Sequence, residues 1–168
     1  AFASCYSLKE FTIPAGITVI RDSVFEMCHS LESVYIPEGV ISIESNAFNG
    51  CMMLKKINIP STVTNMGGYV FIGCTSLEKI VIPSSVTWLP DKVFGNCRAL
   101  LSVAIPGSVT RIGENTFEGC SKVTISCEKG SYTEVYAKEH NIPYILTSGN
   151  VEVAVGKNTT TVSSAKTN

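Results

Sequence analysis

Short stretches of alternating apolar and polar residues recur at a fixed distance along the chain. Each contains two apolar residues two positions apart, followed at once or shortly by proline, as in Val34-Tyr35-Ile36-Pro37. A period of two is typical of a short β-strand with one buried face. Because proline lacks an N–H group and fixes φ, we expect it to end each strand. The pattern therefore predicts a series of short strands, none of which can extend past its proline.

The recurrence is an internal repeat of 23 residues. Cysteine, phenylalanine, leucine and proline all keep this spacing. The cysteines in phase are Cys5, Cys28, Cys51, Cys74, Cys97 and Cys120, and the phenylalanines are Phe2, Phe25, Phe48, Phe71, Phe94 and Phe117. Four residue types in one phase indicate a solenoid, in which each repeat forms one turn and buries its apolar face against its neighbours. At a strand spacing of about 4.8 Å, six turns predict a continuous parallel sheet about 24 Å long.

A second apolar group in each repeat must close the core from the wall opposite the sheet. In one repeat this group is Val86, Leu89, Val93 and Phe94. An Asx residue stands shortly before the phenylalanine and a glycine follows it, as in residues 46–50. This arrangement suits a single helical or 3₁₀ turn. We therefore expect short helical or 3₁₀ turns on this wall.

The repeat resembles the 23-residue leucine-rich repeat of the BspA-like, or treponemal, type. The family pattern is close to Leu-x-x-Ile-x-Ile-Pro-x-x-Val-Thr-x-Ile-Gly-x-x-Ala-Phe-x-x-Cys, and residues 105–120 match it at nearly every marked position. The departures are Gly67-Gly68, an extra Pro90, and Trp88 where other repeats carry valine, serine, asparagine or arginine. Together with the repeat itself, the resemblance predicts an α/β, β-rich fold over residues 1–127. We expect a right-handed, horseshoe-like leucine-rich-repeat solenoid with a parallel sheet on one face.

The repeat phase breaks after residue 127, where a C-terminal cap is expected because an uncovered last turn would be an open apolar edge. Ser131-Tyr132-Thr133-Glu134 has the capping-box spacing. It predicts a helix over residues 132–140 that lies on the last turn, with Tyr132, Val135 and Tyr136 on one face. We assign the cap to residues 128–146.

The two ends of the chain support separate expectations. Residues 147–168 are predicted to be a polar tail or linker that contains one alternating segment, Val151–Val155. The chain enters in mid-repeat at Ala1-Phe2. We therefore expect it to be a fragment of a longer protein whose signal peptide and anchor lie outside it.

Composition and charge exclude several partners. The chain has 13 Lys and Arg against 14 Asp and Glu, a net charge of -1. Its isoelectric point near 6.2 leaves no basic field for nucleic acid or an anionic membrane surface. No run approaches the roughly 20 consecutive apolar residues that a membrane-spanning helix needs. We expect no nucleic-acid partner and no membrane span in this chain.

The residues capable of chemistry do not form a recognisable site. No Cys-x-x-Cys spacing is present for zinc. Stacked cysteines in successive turns have parallel Cβ vectors, which is poor geometry for disulfides, so we predict a buried ladder of free thiols. His29 and His140 are far apart in the sequence, and no recurring carboxylate pair or phosphate-binding loop is found. The resemblance likewise implies no catalytic residues, so we expect no enzyme activity, metal or cofactor.

Candidate partner-binding residues are those that point away from the core along the sheet. Aromatic or aliphatic side chains there resemble a recognition surface, although isolated exposed apolar residues are also normal on a sheet. The primary candidates are Tyr35, Lys56, Asn58, Lys79, Val81 and Leu101. The secondary candidates are Met52 and Met53 in a turn and Trp88 on the opposite wall, either as a second patch or as a contact in an oligomer. The alternating charges of Lys9, Glu32, Lys55 and Glu78 indicate a solvated cross-strand ladder.

The resemblance implies a secreted or surface-attached protein that binds other proteins, often host matrix or neighbouring cells. The leading hypothesis is a non-enzymatic, adhesion-type binding module at the cell surface or outside the cell, with the periplasm as another possible location. The alternative is a structural spacer or stalk that presents another domain. A third hypothesis, a carrier of a small hydrophobic ligand, requires a gap in the core near Gly67-Gly68 and Pro90. The sequence leaves the oligomeric state open.

Overall fold

Each 23-residue repeat contributes two short strands to one turn of a coil. The structure is a computed structural model that describes residues 2–147. The first strands of the turns are β1 (Glu10–Thr12), β3 (Ser33–Tyr35), β5 (Lys56–Ile57), β7 (Lys79–Val81), β9 (Ser102–Ala104) and β11 (Thr124–Glu128). The second strands are β2 (Val19–Ile20), β4 (Ser42–Ile43), β6 (Asn65–Met66), β8 (Trp88–Leu89) and β10 (Arg111–Ile112). We number the turns from one to six by their first strands.

A hydrogen-bonded turn at proline separates the two strands of a repeat. The carbonyl of Pro83 accepts from the N–H of Val86 (3.0 Å), and Pro106 accepts from Val109 in the same way (3.1 Å). Proline supplies the fixed φ that such a turn needs and no N–H that a longer strand would have to pair. The prediction that proline ends each first strand is confirmed for the five strands that a proline follows, from β1 to β9, whereas no proline follows β11.

The strands stack in two parallel ladders, which we call the front ladder and the side ladder. The front ladder has the orders β1-β3-β5 and β7-β9-β11, and the side ladder has the orders β2-β4-β6 and β8-β10. The sequence predicted one continuous sheet, and this is wrong in two respects. A second ladder exists, and both ladders are interrupted between the third and fourth turns. We call this junction the seam.

Pro90 explains the interruption of the side ladder. At neighbouring junctions the N–H of Gly67 donates to Ile43 and the N–H of Gly113 donates to Leu89, at 2.8 and 2.9 Å. Pro90 stands 23 residues after Gly67 and 23 before Gly113. Because proline has no N–H, the bond from the fourth turn back to the third cannot form.

Asn58 accompanies the interruption of the front ladder. Its Oδ1 accepts from the N–H of Ile36 (3.0 Å) and its Nδ2 donates to the carbonyl of Ile36 (2.7 Å). The side chain thus takes over pairing that backbone groups make at other junctions, and β5 ends one residue earlier, at Ile57. The inward side chains Ile57 and Ile59 are only half-buried.

The wall that carries the phenylalanines consists of hydrogen-bonded turns instead of the predicted helical or 3₁₀ turns. Asn46, before Phe48, has a φ of 56°, and Gly50, after it, has a φ of 71°. The Asx and glycine positions therefore supply left-handed backbone, which interrupts a right-handed helix and which these residues tolerate best. Backbone bonds also join successive turns here, and one of them, from Phe71 N–H to the carbonyl of Val93 (2.9 Å), crosses the seam.

The core is a single cluster that runs the length of the coil. At its centre the phenylalanine rings stack face to face from turn to turn, with centroids 5.4 Å apart for Phe25 and Phe48 and 5.7 Å apart for Phe48 and Phe71. The stack continues across the seam, where the centroids of Phe71 and Phe94 are also 5.7 Å apart. The described residues form a parallel β-solenoid of about six turns. The α/β class is not confirmed, because helix is scarce in this part of the chain, and the horseshoe shape stays a prediction.

The cysteines form the predicted ladder of free thiols. Each in-phase thiol after the first donates to the carbonyl of the phenylalanine 26 residues earlier, for example Cys51 to Phe25 (3.2 Å) and Cys74 to Phe48 (3.3 Å). Burial raises the pKa of Cys51 to about 12 and raises that of Cys74 well above its usual value. The thiols therefore satisfy buried carbonyls as well as filling space, and those of Cys51 and Cys74 stay protonated at neutral pH.

We expect the buried thiols to be protected from alkylation. With iodoacetamide at about pH 8, half-buried Cys5 should react first, and Cys51 and Cys74 should react at least about a hundredfold more slowly, because only the thiolate is a nucleophile. Mass spectrometry of peptides over time measures each rate. Denatured protein, in which all seven cysteines should react alike, is the control. Labelling of Cys74 as fast as Cys5 in folded protein would contradict the ladder.

The cap consists of helix α1 (Tyr132–Glu139) and strand β12 (Tyr144–Thr147), which pairs in parallel with β11. Ser131 accepts from the N–H of Glu134 (3.3 Å) as the helix N-cap. Glu134 in turn accepts from the N–H of Gly130 (2.6 Å) and pairs with Lys138 (2.7 Å). The Lys138 ammonium and the Gly130 N–H hold the pKa of Glu134 below its usual value.

The face of α1 that covers the last turn differs from the prediction. Tyr136 is buried as predicted, but its companions are Thr133 and Ala137, and Tyr132 and Val135 are exposed. None of the helices in residues 2–147 has the length and apolar character needed to cross a membrane. The domain boundaries at residues 127 and 146 stay predictions, and the predicted tail, including residues 151–155, lies outside the described residues apart from Thr147.

Candidate functional site

The candidate binding surface is the outward side of the front ladder, which we call the front face. The ladder register places the outward side chains in two columns across the turns. One column contains Ser33 beside Lys56 and Lys79 beside Ser102, and the other contains Thr12 beside Tyr35 and Val81 beside Ala104. Successive turns of such a sheet lie about 4.8 Å apart. Candidates separated by 23 residues are therefore neighbours in space.

Exposed apolar side chains lie on both sides of the seam. Tyr35 is 57% exposed on the second turn and Val81 is 36% exposed on the fourth. Leu101 is also exposed and directly precedes β9, at the edge of the front face. Beside Val81, the side chain of Ala104 is small and buried. The front face therefore projects less at Ala104 than at Val81. The front face thus offers two separate apolar contact points and a rim contact.

Lysines border the seam between these apolar points. Lys55 pairs with Glu32 at 3.8 Å, an exposed contact that contributes little to stability. Lys56 and Lys79 are exposed on the third and fourth turns, and within residues 2–147 neither has a carboxylate within 4.0 Å. The two positive charges are therefore available to a partner.

Asn58 has a different role from the one that its outward position suggests. Its amide pairs with both backbone groups of Ile36, as described above, and the residue is half-buried. Such a side chain closes a gap in the ladder and is held in one orientation. It supports the surface next to Tyr35 and is a poor candidate for direct contact with a partner.

A shallow depression of about 620 Å³ lies on the front face over the first three turns and reaches the seam, where Glu78 and Lys79 border it. Its lining includes Tyr35, Lys56, Ile57 and Lys79. Ile57 is only half-buried there, whereas its equivalents Val34, Ile80 and Val103 are buried. Ile57 has the spacing of an ordinary core residue in the sequence, so its accessibility could not be predicted there. It follows from the unpaired neighbouring strand.

The secondary candidates lie apart from the depression. Met52 and Met53 are exposed in the turn through which the chain enters β5, and the carbonyl of Met52 accepts from Ser76 of the next turn (3.1 Å). Trp88 lies on β8 in the side ladder. The depression thus brings together Tyr35, Lys56 and Lys79, with Val81 nearby on the strand of Lys79, and Trp88 lies apart from them.

The titratable residues of the described chain do not converge. The ring of His29 lies 5.3 Å from that of Tyr6 near the first turns, and His140 stacks on Tyr136 in the cap with centroids 4.0 Å apart. The two imidazoles therefore lie at opposite ends of the coil. Across residues 2–147 no group of three or more His, Cys, Asp or Glu residues is arranged to hold a metal ion.

Comparison with known proteins gives a family match and several structural matches. A model of the BspA-type leucine-rich repeat region matches residues 1–124 in six copies. No curated protein matches the chain. A solved leucine-rich repeat protein of Treponema pallidum, TpLRR, is 30% identical, with a TM-score of 0.68 over 71% of this chain and 58% of that one.

Two further solved structures are similar. A leucine-rich repeat protein from Bacteroides ovatus is 25% identical, with a TM-score of 0.65 over 84% of this chain and 43% of that one. A leucine-rich cell surface protein from Faecalibacterium prausnitzii is 22% identical with a TM-score of 0.50, over 89% of this chain and 62% of that one, and this likeness concerns the fold alone. The chain spans 58% and 43% of the lengths of the Treponema and Bacteroides proteins.

Proposed function

Because this chain belongs to the BspA-type leucine-rich repeat family, we propose that it is a non-enzymatic protein-binding module that acts through its front face. Leucine-rich repeat proteins of this kind are typically surface or protein-interaction modules and are generally not enzymes. A stacked coil is a rigid scaffold whose outward positions vary while its core repeats. The described residues have both properties: the core residues repeat from turn to turn, and the outward residues of the front face differ at every turn.

The arrangement at the seam is the observation that supports this proposal. Tyr35 and Val81 provide apolar contacts, Lys56 and Lys79 provide unpaired charge between them, and half-buried Ile57 lines the depression. Binding hot spots combine an apolar or aromatic anchor that becomes fully desolvated with surrounding polar contacts. The partner surface that fits is an acidic one carrying an apolar side chain for the depression.

We propose an adhesion-type role outside the producing cell, at its surface or secreted, with a host-matrix or cell-surface protein as the partner. The family match supports this location, because leucine-rich repeat proteins of this kind are typically surface or protein-interaction modules. The continuous ring stack from Phe2 to Phe117 offers no support for a carrier of small hydrophobic ligands.

The test combines a partner screen with a charge-changing variant of the front face. Purified extracellular-matrix proteins are immobilised and binding of the chain is measured by surface plasmon resonance. The variant Tyr35→Ala/Lys56→Glu/Val81→Glu should raise Kd at least about tenfold, and binding of the unaltered chain should weaken with added salt because part of it is electrostatic.

A matched control makes the same types of change away from the front face. Tyr132→Ala/Lys122→Glu/Val135→Glu alters exposed residues that do not lie on the front face, so its Kd should equal that of the unaltered chain. Equal binding by the front-face variant would reject this surface. Failure of the chain to bind any of the matrix proteins would reject the adhesion role.

A further inference from the structure

Trp88 is the single tryptophan of the chain and is 45% exposed in the side ladder. It pairs in register with Arg111 of the fifth turn. The equivalent residues in the first three turns are Val19, Ser42 and Asn65, which are paired in register with one another. None of these neighbours is aromatic, and core packing does not require the indole at this position. A large exposed aromatic ring is therefore unexplained by the repeat.

One side of the indole is occupied and the other borders a groove. The guanidinium carbon of Arg111, on the fifth-turn side, lies 5.3 Å from the ring centroid, a cation–π contact that holds the ring in place. On the third-turn side the side ladder is interrupted at the seam, and Trp88 forms the end wall of a groove of about 430 Å³. The groove is separate from the front face.

Uncharged polar side chains form a large part of the lining of the groove. Ser42, Thr64, Asn65 and Thr87 contribute three hydroxyls and an amide. In the described part of the chain none of these four side chains makes a hydrogen bond to another protein group, although each is capable of donating and accepting. A ligand in the groove thus meets free donors and acceptors beside an aromatic wall.

Charged groups at the far end of the groove select against anions. Asp22 and Glu44 line it there. The Glu44 carboxylate accepts from the backbone N–H of Asp22 (2.9 Å) and lies 3.8 Å from Arg21. A phosphate or carboxylate ligand would be repelled by these groups. A wholly apolar ligand would leave the hydroxyls and the amide unpaired, which is costly.

We propose that this groove binds a neutral carbohydrate. A pyranose ring has an apolar C–H face, which suits stacking on the open face of the Trp88 indole, and a rim of hydroxyls, which suits exchange of hydrogen bonds with Ser42, Thr64, Asn65 and Thr87. Aromatic side chains with one accessible face and nearby polar groups provide both contacts at once. Because the groove is shallow and one sugar ring buries little area, dissociation constants of about a millimolar are expected.

The single tryptophan makes the test direct, since all indole fluorescence comes from the proposed site. The chain is titrated to about 100 mM with the methyl glycosides of glucose, galactose, mannose and N-acetylglucosamine, and with cellobiose, maltose and chitobiose. At least one probe should change the emission with a saturable dependence on concentration. Sorbitol, an acyclic polyol, should produce no saturable change at the same concentration.

Variants distinguish the groove from the rest of the surface. Thr64→Val/Asn65→Ala keeps the indole and its Arg111 contact, so emission of the free protein should persist while the saturable change is lost. The control variant Asn115→Ala/Thr110→Val changes residues on the fifth-turn side of Trp88, away from the groove. It should retain the saturable change of emission. Saturation-transfer NMR with Trp88→Ala, which has no indole signal, should show loss of transfer to the same sugar.

Several results would overturn the proposal. These are the absence of any saturable response to the seven sugars, an equal response to sorbitol, and an undiminished response in Thr64→Val/Asn65→Ala. A change of emission on dilution of the protein alone, matched by a dimer in sedimentation, would assign Trp88 to a contact between copies of the chain. The front-face variant Tyr35→Ala/Lys56→Glu/Val81→Glu should bind sugar normally, so this proposal and the protein-binding function fail or succeed separately.

Discussion

Replacing Phe71 by alanine is expected to lower the free energy of unfolding by about 4 kcal/mol, the range found for deletion of a large buried aromatic side chain. The ring is fully buried and stacks on Phe48 and on Phe94, each with centroids 5.7 Å apart. It also lies at the seam, where the strand ladders contribute no backbone hydrogen bonds between turns. A cavity there removes packing at the junction that has least other support.

Urea denaturation followed by far-ultraviolet circular dichroism measures this change, and Phe2→Ala is the matched control. Phe2 belongs to the same stack but lies at its end and is 40% exposed. Its replacement should cost about 1 kcal/mol or less, because a partly exposed ring contributes less burial and leaves no closed cavity. If the two variants lose similar amounts of unfolding free energy, the ring stack does not stabilise the seam.

Replacing Tyr136 by alanine is expected to cost about 3 kcal/mol. The Tyr136 ring lies between two other rings. Its centroid is 6.4 Å from that of Phe117, the last phenylalanine of the stack, and 4.0 Å from that of His140. Its hydroxyl donates to the carbonyls of Gly113 and Glu114 at 3.1 and 3.3 Å. Burial raises the pKa of Tyr136 to about 12, so the hydroxyl remains a donor throughout the neutral range. The substitution therefore uncovers the last turn and removes the donor to two carbonyls.

Tyr132→Ala is the control for this second prediction, on the same helix and with the same change of side chain. Tyr132 is exposed, so its loss should change the free energy of unfolding by less than about 0.5 kcal/mol. Thermal unfolding monitored by circular dichroism compares the two variants. If Tyr132→Ala proves the more destabilising, the face of α1 that packs on the coil has been assigned wrongly.

The repeat spacing was sufficient to predict the turns and the thiol ladder, because each depends on identical residues recurring at the same place in every turn. The phenylalanines were visible in the same phase, but their face-to-face stacking was not predicted. The side ladder was missed because its strands are two residues long, as in Ser42–Ile43, too short to show a period. The packing face of α1 was predicted wrongly because residues 132, 135 and 136 and residues 133, 136 and 137 both have helical spacing. The apolar pattern favoured the first set, whereas Thr133 and Ala137 are buried beside Tyr136.

The front-face candidates follow from alternation along each strand, which predicts the direction of a side chain but not its partners. Asn58 bonds to Ile36, which lies 22 positions away in the sequence, so alternation along its own strand does not predict this contact. The accessibility of Ile57 depends on missing bonds to the next turn. Pro90 was visible as a departure from the repeat, and its lack of an N–H is a sufficient local reason for the interrupted side ladder.

The seam also determines how the coil responds to force. A pull applied along the coil axis loads the junctions between turns in series, so the weakest junction yields first. The strand ladders are both missing at the seam, which leaves the ring stack, the bonds of the phenylalanine wall and contacts such as the bond from the Ser76 N–H to the Met52 carbonyl to bear the tension. A coil pulled along this axis would open at its middle, into two blocks of about three turns each, before either end frayed.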